Sequence, residues 1–383
     1  MIHVVDKKKC TGCAGCYNAC PVDAIEMLED REGFLYPVVT EEKCINCNRC
    51  DKVCPFVTEK ERNEDLRLCF AAYNRNEEDR AKSSSGGIFI AMAKKVILEG
   101  GIVYGAAYDE CFMAYHDSAE NIEQLNRLIG SKYMQSRIGR TYREILNHLK
   151  MGRKVLFVGT GCQIAGLKGY LDRDYSNLIT IDFICLGTPS PKVWSDYLET
   201  FFEKKEIVRV NFKDKSLGWH TFSLRIDGNE NFVQNGRKTY FFSGYFKQLY
   251  SRPSCSDCLF KKGNRISDIT ISDCWGYAYI APEMDDNKGL SSVECHSENG
   301  LALFEEIKSE LEWKEANIED VCKYNSNYCK SAPMGEDREK FWEEYDLLPK
   351  EELFKKYCQS EKESKLKQLI YALKTRVKQV MKK

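Results

Sequence analysis

Eight cysteines near the start of the chain form two runs with the same spacing. Residues 10–21 read CTGCAGCYNACP and residues 44–55 read CINCNRCDKVCP, so each run has the form C-x2-C-x2-C-x3-C-P. Cysteine thiolates are the usual ligands of iron–sulfur clusters, and three closely spaced thiolates can bind three corners of a cubane. The fourth corner faces away from its own run, so its ligand is expected to come from the other run.

This spacing is typical of bacterial ferredoxins that hold two clusters. The alternative is structural zinc, but zinc sites usually pair two C-x2-C knuckles across a longer spacer, and neither run has that form. Two neighbouring clusters form an electron relay, so electrons enter here and leave elsewhere. We therefore predict two [4Fe–4S] clusters, one bound by Cys10, Cys13, Cys16 and Cys54, and the other by Cys44, Cys47, Cys50 and Cys20.

Further cysteines follow predicted strands. Cys162 and Cys185 each come just after a predicted strand, and Cys274 stands at the end of a third strand. Cys255 and Cys258 form a C-x2-C pair. Open α/β sheets bind their ligands at the carboxyl ends of the strands, so these thiols are candidates for a third cluster. The alternative is that the single cysteines are small buried hydrophobes and the pair is a separate zinc knuckle.

The elements that position these cysteines follow from hydrophobic patterning. A helix is predicted after SSSGG (83–87) and another over 137–150. Ser190 and Pro191 are predicted to start a third helix as its N-cap and first residue. Beyond about residue 300 the pattern is helical and charged. Strands are predicted over 33–39, 100–108, 154–158, 178–184 and 268–272, and in IVRVNF, TFSLRI, FVQN and TYFF of 207–245.

These alternating strands and helices predict the fold class. It is an α+β / α/β protein, with an N-terminal ferredoxin-like domain fused to a mixed α/β domain and a helical C-terminal tail. The dicluster domain is predicted over residues 1–60. The larger domain has an N-terminal region over 66–150 and a C-terminal region over 151–330, and the tail covers 331–383. The charged stretch 58–67 is predicted to be a linker.

The composition excludes some classes of function. The chain has 383 residues, 43% hydrophobic and 30% charged, with a net charge of −1, so nothing overall favours nucleic-acid binding. It has 19 cysteines, no secretory signal and no apolar run long enough to span a membrane. Metal or redox chemistry in a reducing cytoplasm is therefore expected.

Six motifs in order closely resemble the beta-subunit family of coenzyme F420 hydrogenases and dehydrogenases, over about residues 66–330. The resemblance implies a flavoprotein that binds FAD beside a [4Fe–4S] cluster. It implies that Cys162, Cys185, Cys255 and Cys258 bind this third cluster, with Cys274 in reserve. The motifs are SSSGGIF (83–89), GSKYMQS (130–136), VLFVGTGCQIAGL (155–167), DFICLGTPSPKVW (182–194), RPSCSDCLF (252–260) and SDITISDCWG (267–276).

The resemblance also suggests a flavin site. The loop before the helix at 88 can hold a pyrophosphate on its N–H groups, and Lys132 can sit near the flavin N1 and O2. From the residues alone, SSSGG is equally consistent with an ordinary capped turn, and Lys132 is equally consistent with a solvated surface lysine. The residues assigned to the flavin are Ser84, Ser85, Gly86, Gly87, Ser131, Lys132, Tyr133, Gln135, Thr160 and Gln163; no catalytic residue is assigned.

Two departures from the family pattern concern the substrate. Gly161 stands where GTPCQ has proline, and Leu186 stands where CHG has histidine. The loss of the histidine removes a proton donor or substrate contact. The motif therefore does not identify the two-electron partner.

The predicted function is that of an iron–sulfur flavin-dependent oxidoreductase. It would pass electrons between clusters and a two-electron carrier through FAD. The partner would be deazaflavin, ferredoxin or an organic substrate, including one of polysaccharide biosynthesis. The alternative is a non-catalytic electron-transfer subunit of a larger hydrogenase or dehydrogenase complex.

The C-terminal segment 361–383 has eight basic residues and two acidic ones. Its apolar residues fall on one helical face, at positions 366, 369, 370, 373, 377 and 380. Such a helix lies on an anionic membrane surface, docks a partner or packs on its own domain.

Overall fold

The computed structural model of the chain describes residues 2–58, 67–261 and 265–360. The strands within these ranges are β1 Ile25–Glu29, β2 Leu35–Val39, β3 Leu68–Asn74, β4 Ile102–Tyr108, β5 Ala114–Ala119, β6 Val155–Val158, β7 Leu178–Phe183, β8 Arg209–Asp214, β9 Ser223–Asp227, β10 Phe232–Asn235, β11 Ile269–Asp273, β12 Ser291–Cys295 and β13 Leu311–Glu315.

The α-helices of the described ranges vary from four to eleven residues. They are α1 Gly15–Ala19, α2 Arg49–Lys52, α3 Glu77–Lys82, α4 Ile88–Leu98, α5 Ile122–Leu125, α6 Thr141–Lys150, α7 Gly161–Leu171, α8 Pro191–Phe201, α9 Tyr240–Phe246, α10 Tyr277–Ile280, α11 Glu298–Ile307, α12 Ile318–Tyr324, α13 Arg338–Glu344 and α14 Lys350–Tyr357.

A mixed eight-stranded sheet carries the larger part of the fold. Its strand order is β13-β3-β12-β11-β7-β6-β4-β5, in which β11, β7, β6 and β4 are parallel and the other pairings are antiparallel. Buried Leu156, Ile181 and Val293 are part of its core. The carboxyl ends of the four parallel strands therefore lie along one edge, and the predicted mixed α/β class is confirmed.

Two smaller sheets flank the large one. The antiparallel hairpin of β1 and β2 lies between the two cysteine runs, where the sequence predicts a strand over 33–39. The strands β10, β9 and β8 form a separate antiparallel sheet, and their apolar side chains pack into an aromatic core with α8 and α9. No helix in the described ranges is long and apolar enough to cross a membrane.

The predicted elements around the cysteines agree with the observed ones. The strands β6, β7 and β11 lie within the predicted ranges to within a residue, and α4, α7 and α8 follow as expected. Ser190 Oγ accepts a hydrogen bond from the Val193 N–H, and Pro191 is the first residue of α8. The sequence therefore locates the strand ends that carry Cys162 and Cys185.

Two predicted elements are wrong. TYFF is predicted to be a strand, but Thr239 caps α9 by accepting a hydrogen bond from the Phe242 N–H. Helical spacing lets Phe241 and Tyr245 pack into the aromatic core together. The charged region after 300 also contains a strand, β13, which pairs with β3 at the edge of the large sheet.

The C-terminal predictions are covered only in part. The helices α13 and α14 agree with the predicted helical tail, whereas the basic amphipathic segment 361–383 lies outside the described residues. Most of the predicted linker over 58–67 lies outside them too.

The N-terminal module packs against α7 through two glycines of that helix. A Cβ atom on Gly166 would lie 2.9 Å from Cys13 Cβ, and one on Gly169 would lie 2.5 Å from the Val53 carbonyl oxygen. Glycine is required here because a backbone carbonyl cannot move aside as a flexible side chain can. Both contacts fall beside predicted ligands of one cluster, Cys13 and Cys54.

The helix α6 holds the same module from a second side. Arg143 Nε donates to the Asn18 carbonyl at 2.9 Å, and Arg143 Nη2 donates to the Cys20 carbonyl at 2.7 Å. Asn18 Nδ2 in turn donates to the Gly139 carbonyl at 2.9 Å. The C-terminal end of the short α1 is thereby fixed to α6 and to the turn that precedes α6.

We expect the substitution Gly169→Ala to lower the stability of the chain. Alanine improves helix propensity by about 1 kcal/mol, but overpacking against Val53 costs about 1–3 kcal/mol. The measurement is the midpoint of urea unfolding of the full chain, monitored by far-ultraviolet circular dichroism.

Gly105→Ala is the matched control, because a Cβ there meets Leu128 at an ordinary 3.7 Å. Its midpoint should not fall. Equal midpoints for the two variants would show that the contact between α7 and Val53 is not tight.

Candidate metal centres

The two cysteine runs exchange their fourth members. Cys20 lines a cavity together with three thiols of the second run, Cys44, Cys47 and Cys50. The Ala24 N–H donates to Cys20 Sγ at 3.2 Å, so the backbone already contacts this sulfur. Cys47 is exposed, and the neighbouring Ile45 is 60% exposed, so this site lies at the surface of the module.

The reciprocal site gathers Cys54 with the first run. Burial and the neighbouring thiols of Cys10 and Cys54 raise the pKa of Cys13 to about 11, and the same causes raise the pKa of Cys16. Burial raises the pKa of three of the four thiols, Cys13, Cys16 and Cys54, so these residues are poor sites for free thiolates. They are suited to a cationic metal centre that takes the place of the protons.

A third cavity lies at the carboxyl edge of the large sheet. It encloses about 510 Å³, including the part open to solvent, and four cysteines are in its wall: Cys162, Cys185, Cys255 and Cys258. Cys162 follows β6 as the second residue of α7, and Cys185 follows β7. The sheet and a 3₁₀ turn, Pro253–Asp257, thus bring together the thiols that the family resemblance selects.

Three of these four thiols have hydrogen-bond partners, and one of them is Cys185, whose Sγ donates to the Gly187 carbonyl at 3.6 Å. Thr160 Oγ1 lies 3.0 Å from Cys162 Sγ, and the Thr188 N–H donates to Cys255 Sγ at 3.3 Å. Hydrogen bonds to cysteine sulfur are a main influence on the potential of an iron–sulfur cluster.

Three buried cations line the same cavity. Arg252, Lys261 and Arg265 are each at most 6% exposed. Arg265 Nη1 donates to Asp182 Oδ2 at 3.0 Å, whereas its Nε and Nη2 atoms have no partner in the structure. Such a concentration of buried positive charge is costly unless an anion neutralises it.

A [4Fe–4S] cluster with four thiolates suits this cavity by its charge and by the four cysteines in the wall. The cluster is anionic, and it holds its four cysteine sulfurs farther apart than a single ion does. Among the described residues, no three His, Cys, Asp or Glu side chains are close enough to bind one metal ion. The wall therefore suits a cluster better than zinc.

Cys274, the reserve ligand, lies elsewhere. It is 1% exposed and packs in a hydrophobic cluster with Cys69, Ile280 and Met284, and it does not line the cavity. Its position is that of a small buried hydrophobe.

Arg252 connects the third cavity to the N-terminal module. Its Nε donates to the Cys10 carbonyl at 2.8 Å, and its Nη1 donates to Gln135 Oε1 at 2.8 Å. Gln135 Nε2 donates to the Thr11 carbonyl at 3.3 Å, and Thr11 also lines the cavity. Sequence reasoning missed Arg252, although it stands at the start of the RPSC motif.

The residues assigned to the flavin divide into two groups. One group lies in the loop before α4, where Ser84 Oγ accepts from the Ser131 N–H at 2.9 Å and the Gly86 N–H donates to Ser291 Oγ at 3.0 Å. Lys215 Nζ, whose pKa burial lowers to about 8, donates to the Ser85 carbonyl at 2.7 Å. This group, with Gly87, forms one polar corner.

The other residues assigned to the flavin make their contacts in other parts of the fold. Gln135, Thr160 and Gln163 lie at the metal centres, and Gln163 forms a capping box with Thr160 at the start of α7. Lys132 Nζ donates to three backbone carbonyls, and burial lowers its pKa to about 7. Tyr133 packs against Phe242 and other rings of the aromatic core.

Comparisons with known proteins agree with the sequence resemblance. Residues 152–321 match the family model for the C terminus of the coenzyme F420 hydrogenase/dehydrogenase beta subunit, and residues 9–57 match the 4Fe-4S dicluster domain. No curated protein matches the chain. The predicted resemblance to the beta-subunit family and the predicted dicluster domain are confirmed.

One solved structure to which the chain is similar is the F420-reducing [NiFe] hydrogenase complex from Methanosarcina barkeri. The match has 16% sequence identity and a TM-score of 0.48, and it covers 70% of this chain and 92% of that chain.

We expect Arg252→Met to shift the reduction potentials of the adjacent clusters to more negative values. Reduction adds negative charge, which a buried cation stabilises at low dielectric. Arg252→Lys should keep part of the effect because it keeps the charge. The measurement is a redox titration followed by electron paramagnetic resonance.

The control is Arg173→Met, which removes an exposed guanidinium near Tyr175. It should leave all potentials unchanged. Unchanged potentials in Arg252→Met would show that this charge does not act on the clusters.

Proposed function

We propose that this chain is an iron–sulfur electron-transfer subunit. It would carry single electrons between the dicluster module and a third [4Fe–4S] cluster for a partner oxidoreductase subunit. One observation carries the proposal: Cys162 stands at the start of α7, while Gly166 of the same helix contacts Cys13. One rigid helix is thus shared by residues of two proposed cluster sites.

The described residues supply what a relay needs. The helix α1 contains Cys16 and ends just before Cys20, and these two residues are assigned to different clusters, so the two proposed sites of the module are neighbours. Thr11 and Arg252 lie between the module and the third cavity. Bound clusters would supply the one-electron chemistry, and the protein holds the thiols, excludes water and compensates the charge.

The family match supports a partner subunit. The matched model describes a beta subunit of hydrogenases and dehydrogenases, and a beta subunit belongs to a larger assembly. A carrier of this kind needs no catalytic residue.

A second candidate function adds FAD and turnover of a two-electron carrier. It is favoured by the polar corner of Ser84, Ser85, Gly86, Gly87 and Ser131, which lies beside Lys215. A flavin bound there would exchange a hydride for single electrons, with deazaflavin or another soluble carrier as its partner. Leu186 in the wall of the third cavity supplies no proton, so protons would come from elsewhere.

Iron content tests the three-cluster proposal. Anaerobically purified chain should contain about twelve irons, and Cys162→Ser should contain about eight. Cys111→Ser is the control, since Cys111 is exposed and is not among the assigned ligands. A content of about eight irons in the unaltered chain would reject the third cluster.

Flavin content distinguishes the two candidate functions. We expect a flavin-dependent enzyme to release about one FAD per chain on denaturation, and its clusters to be reduced by a soluble two-electron donor. Ser84→Ala should then lower the flavin content without lowering the iron content. A chain with a full set of clusters, no flavin and no turnover is the carrier.

A further inference from the structure

Two cysteines outside the proposed cluster ligands lie near the C-terminal end of α12. Cys322 is on that helix, and Cys329 follows the 3₁₀ turn Ser326–Tyr328. The chain reverses between them, because the Asn325 N–H donates to the Val321 carbonyl at 2.8 Å and the Cys329 N–H donates to the Ser326 carbonyl at 3.2 Å. The two thiols interact side chain to side chain.

This dithiol loop, residues 322–331, is fastened to the wall of the third cavity. Lys261 Nζ donates to the Asn327 carbonyl at 2.6 Å, and the Cys258 N–H donates to Ser331 Oγ at 3.0 Å. Arg265 lies over the ring of Tyr328, 4.9 Å from its centroid. Three residues of the cavity wall thus contact the loop, and one of them is a proposed cluster ligand.

Tyr328 anchors the loop from its other side. Its hydroxyl contacts both carboxylate oxygens of buried Glu294 at 2.8 Å. The loop is therefore held between β12 and the cavity. This anchor fixes the turn that immediately precedes Cys329.

The pair differs from the other cysteines that are not assigned to a cluster. Cys69, Cys295 and Cys358 are buried in apolar cores, and Cys111 is exposed. Cys322 and Cys329 are both half-buried, so protons and solutes can reach them. Burial and the neighbouring Cys329 thiol raise the pKa of Cys322 to about 12, which keeps the Cys322 thiol protonated at neutral pH.

We propose that Cys322 and Cys329 form a reversible disulfide that acts as a two-electron site beside the third cluster. This inference rests on the proposed function, since the electrons would travel through the clusters. On reduction the S–S bond breaks, two clusters each give up one electron, and two protons from solvent complete the two thiols. Oxidation reverses each step, with the clusters as the electron acceptors.

The first experiment asks whether the disulfide forms. The full chain, purified anaerobically, is treated with oxidised glutathione, alkylated under denaturing conditions, digested and analysed by mass spectrometry. We expect linked peptides that contain residues 322 and 329, with both thiols alkylated after dithiothreitol treatment. Cys322→Ser should lose the link, and Cys111→Ser should keep it. Full alkylation of both cysteines in the oxidised chain would overturn the proposal.

The second experiment asks whether the site is coupled to the cluster. Reduced methyl viologen, a one-electron donor, is added to the oxidised chain, and disulfide opening is followed by alkylation. Rapid opening in the unaltered chain and its loss in Cys162→Ser would support coupling; Cys162 is not among the residues that hold the loop. Equal rates in the two proteins would overturn the coupling.

The iron content of the same samples separates the two proposals. About eight irons in the unaltered chain would reject the third cluster, and with it the coupled role of the disulfide. A full iron content without a disulfide would reject only the dithiol proposal.

Discussion

Close packing of α7 against the N-terminal module is the constraint on which the proposed relay depends. Gly166 and Gly169 let the helix approach Cys13 and Val53, and the Tyr142 hydroxyl lies 2.9 Å from the Cys13 carbonyl. Protein interiors are close-packed, so this contact cannot slide by a fraction of an ångström without steric overlap. The separation between the first proposed cluster site and the third cavity is therefore set by backbone, not by mobile side chains.

Positive charge is the second organising feature. The chain as a whole has a net charge of −1, yet Arg252, Lys261 and Arg265 are buried together around one cavity. Buried charges are retained only when they are compensated. The proposed anionic cluster would supply that compensation, and it would give the two unpartnered nitrogens of Arg265 a negatively charged neighbour.

The sequence predicts the fold best where a spacing or an alternating pattern determines the structure. The strands before Cys162 and Cys185 and the dicluster domain could be predicted, because continuous apolar runs and repeated cysteines each have one dominant interpretation. The helix at TYFF could not, since aromatic residues suit either element and only tertiary packing of Phe241 and Tyr245 decides. Arg252 and the glycine contacts of α7 were missed because they act between segments far apart in sequence.

The assigned flavin residues illustrate the same limit. A motif is a set of neighbours along the chain, and its members need not face one site. Lys132 turns back onto three carbonyls of its own loop, while Gln135 reaches Thr11 in the N-terminal module. The direction in which a loop side chain points depends on the segments that pack against the loop. Those segments are distant in the sequence, so the motif itself does not specify the direction.

The exposure of Cys47 gives the proposed relay an outer and an inner end. Electron exchange with a separate molecule requires close approach, and only the Cys44–Cys50 loop presents a proposed ligand at the surface, with Ile45 beside it. A docking protein would meet this loop first, and so would dissolved oxygen. The exposed loop through which electrons would enter or leave is therefore also the place where oxidative damage to a cluster would begin.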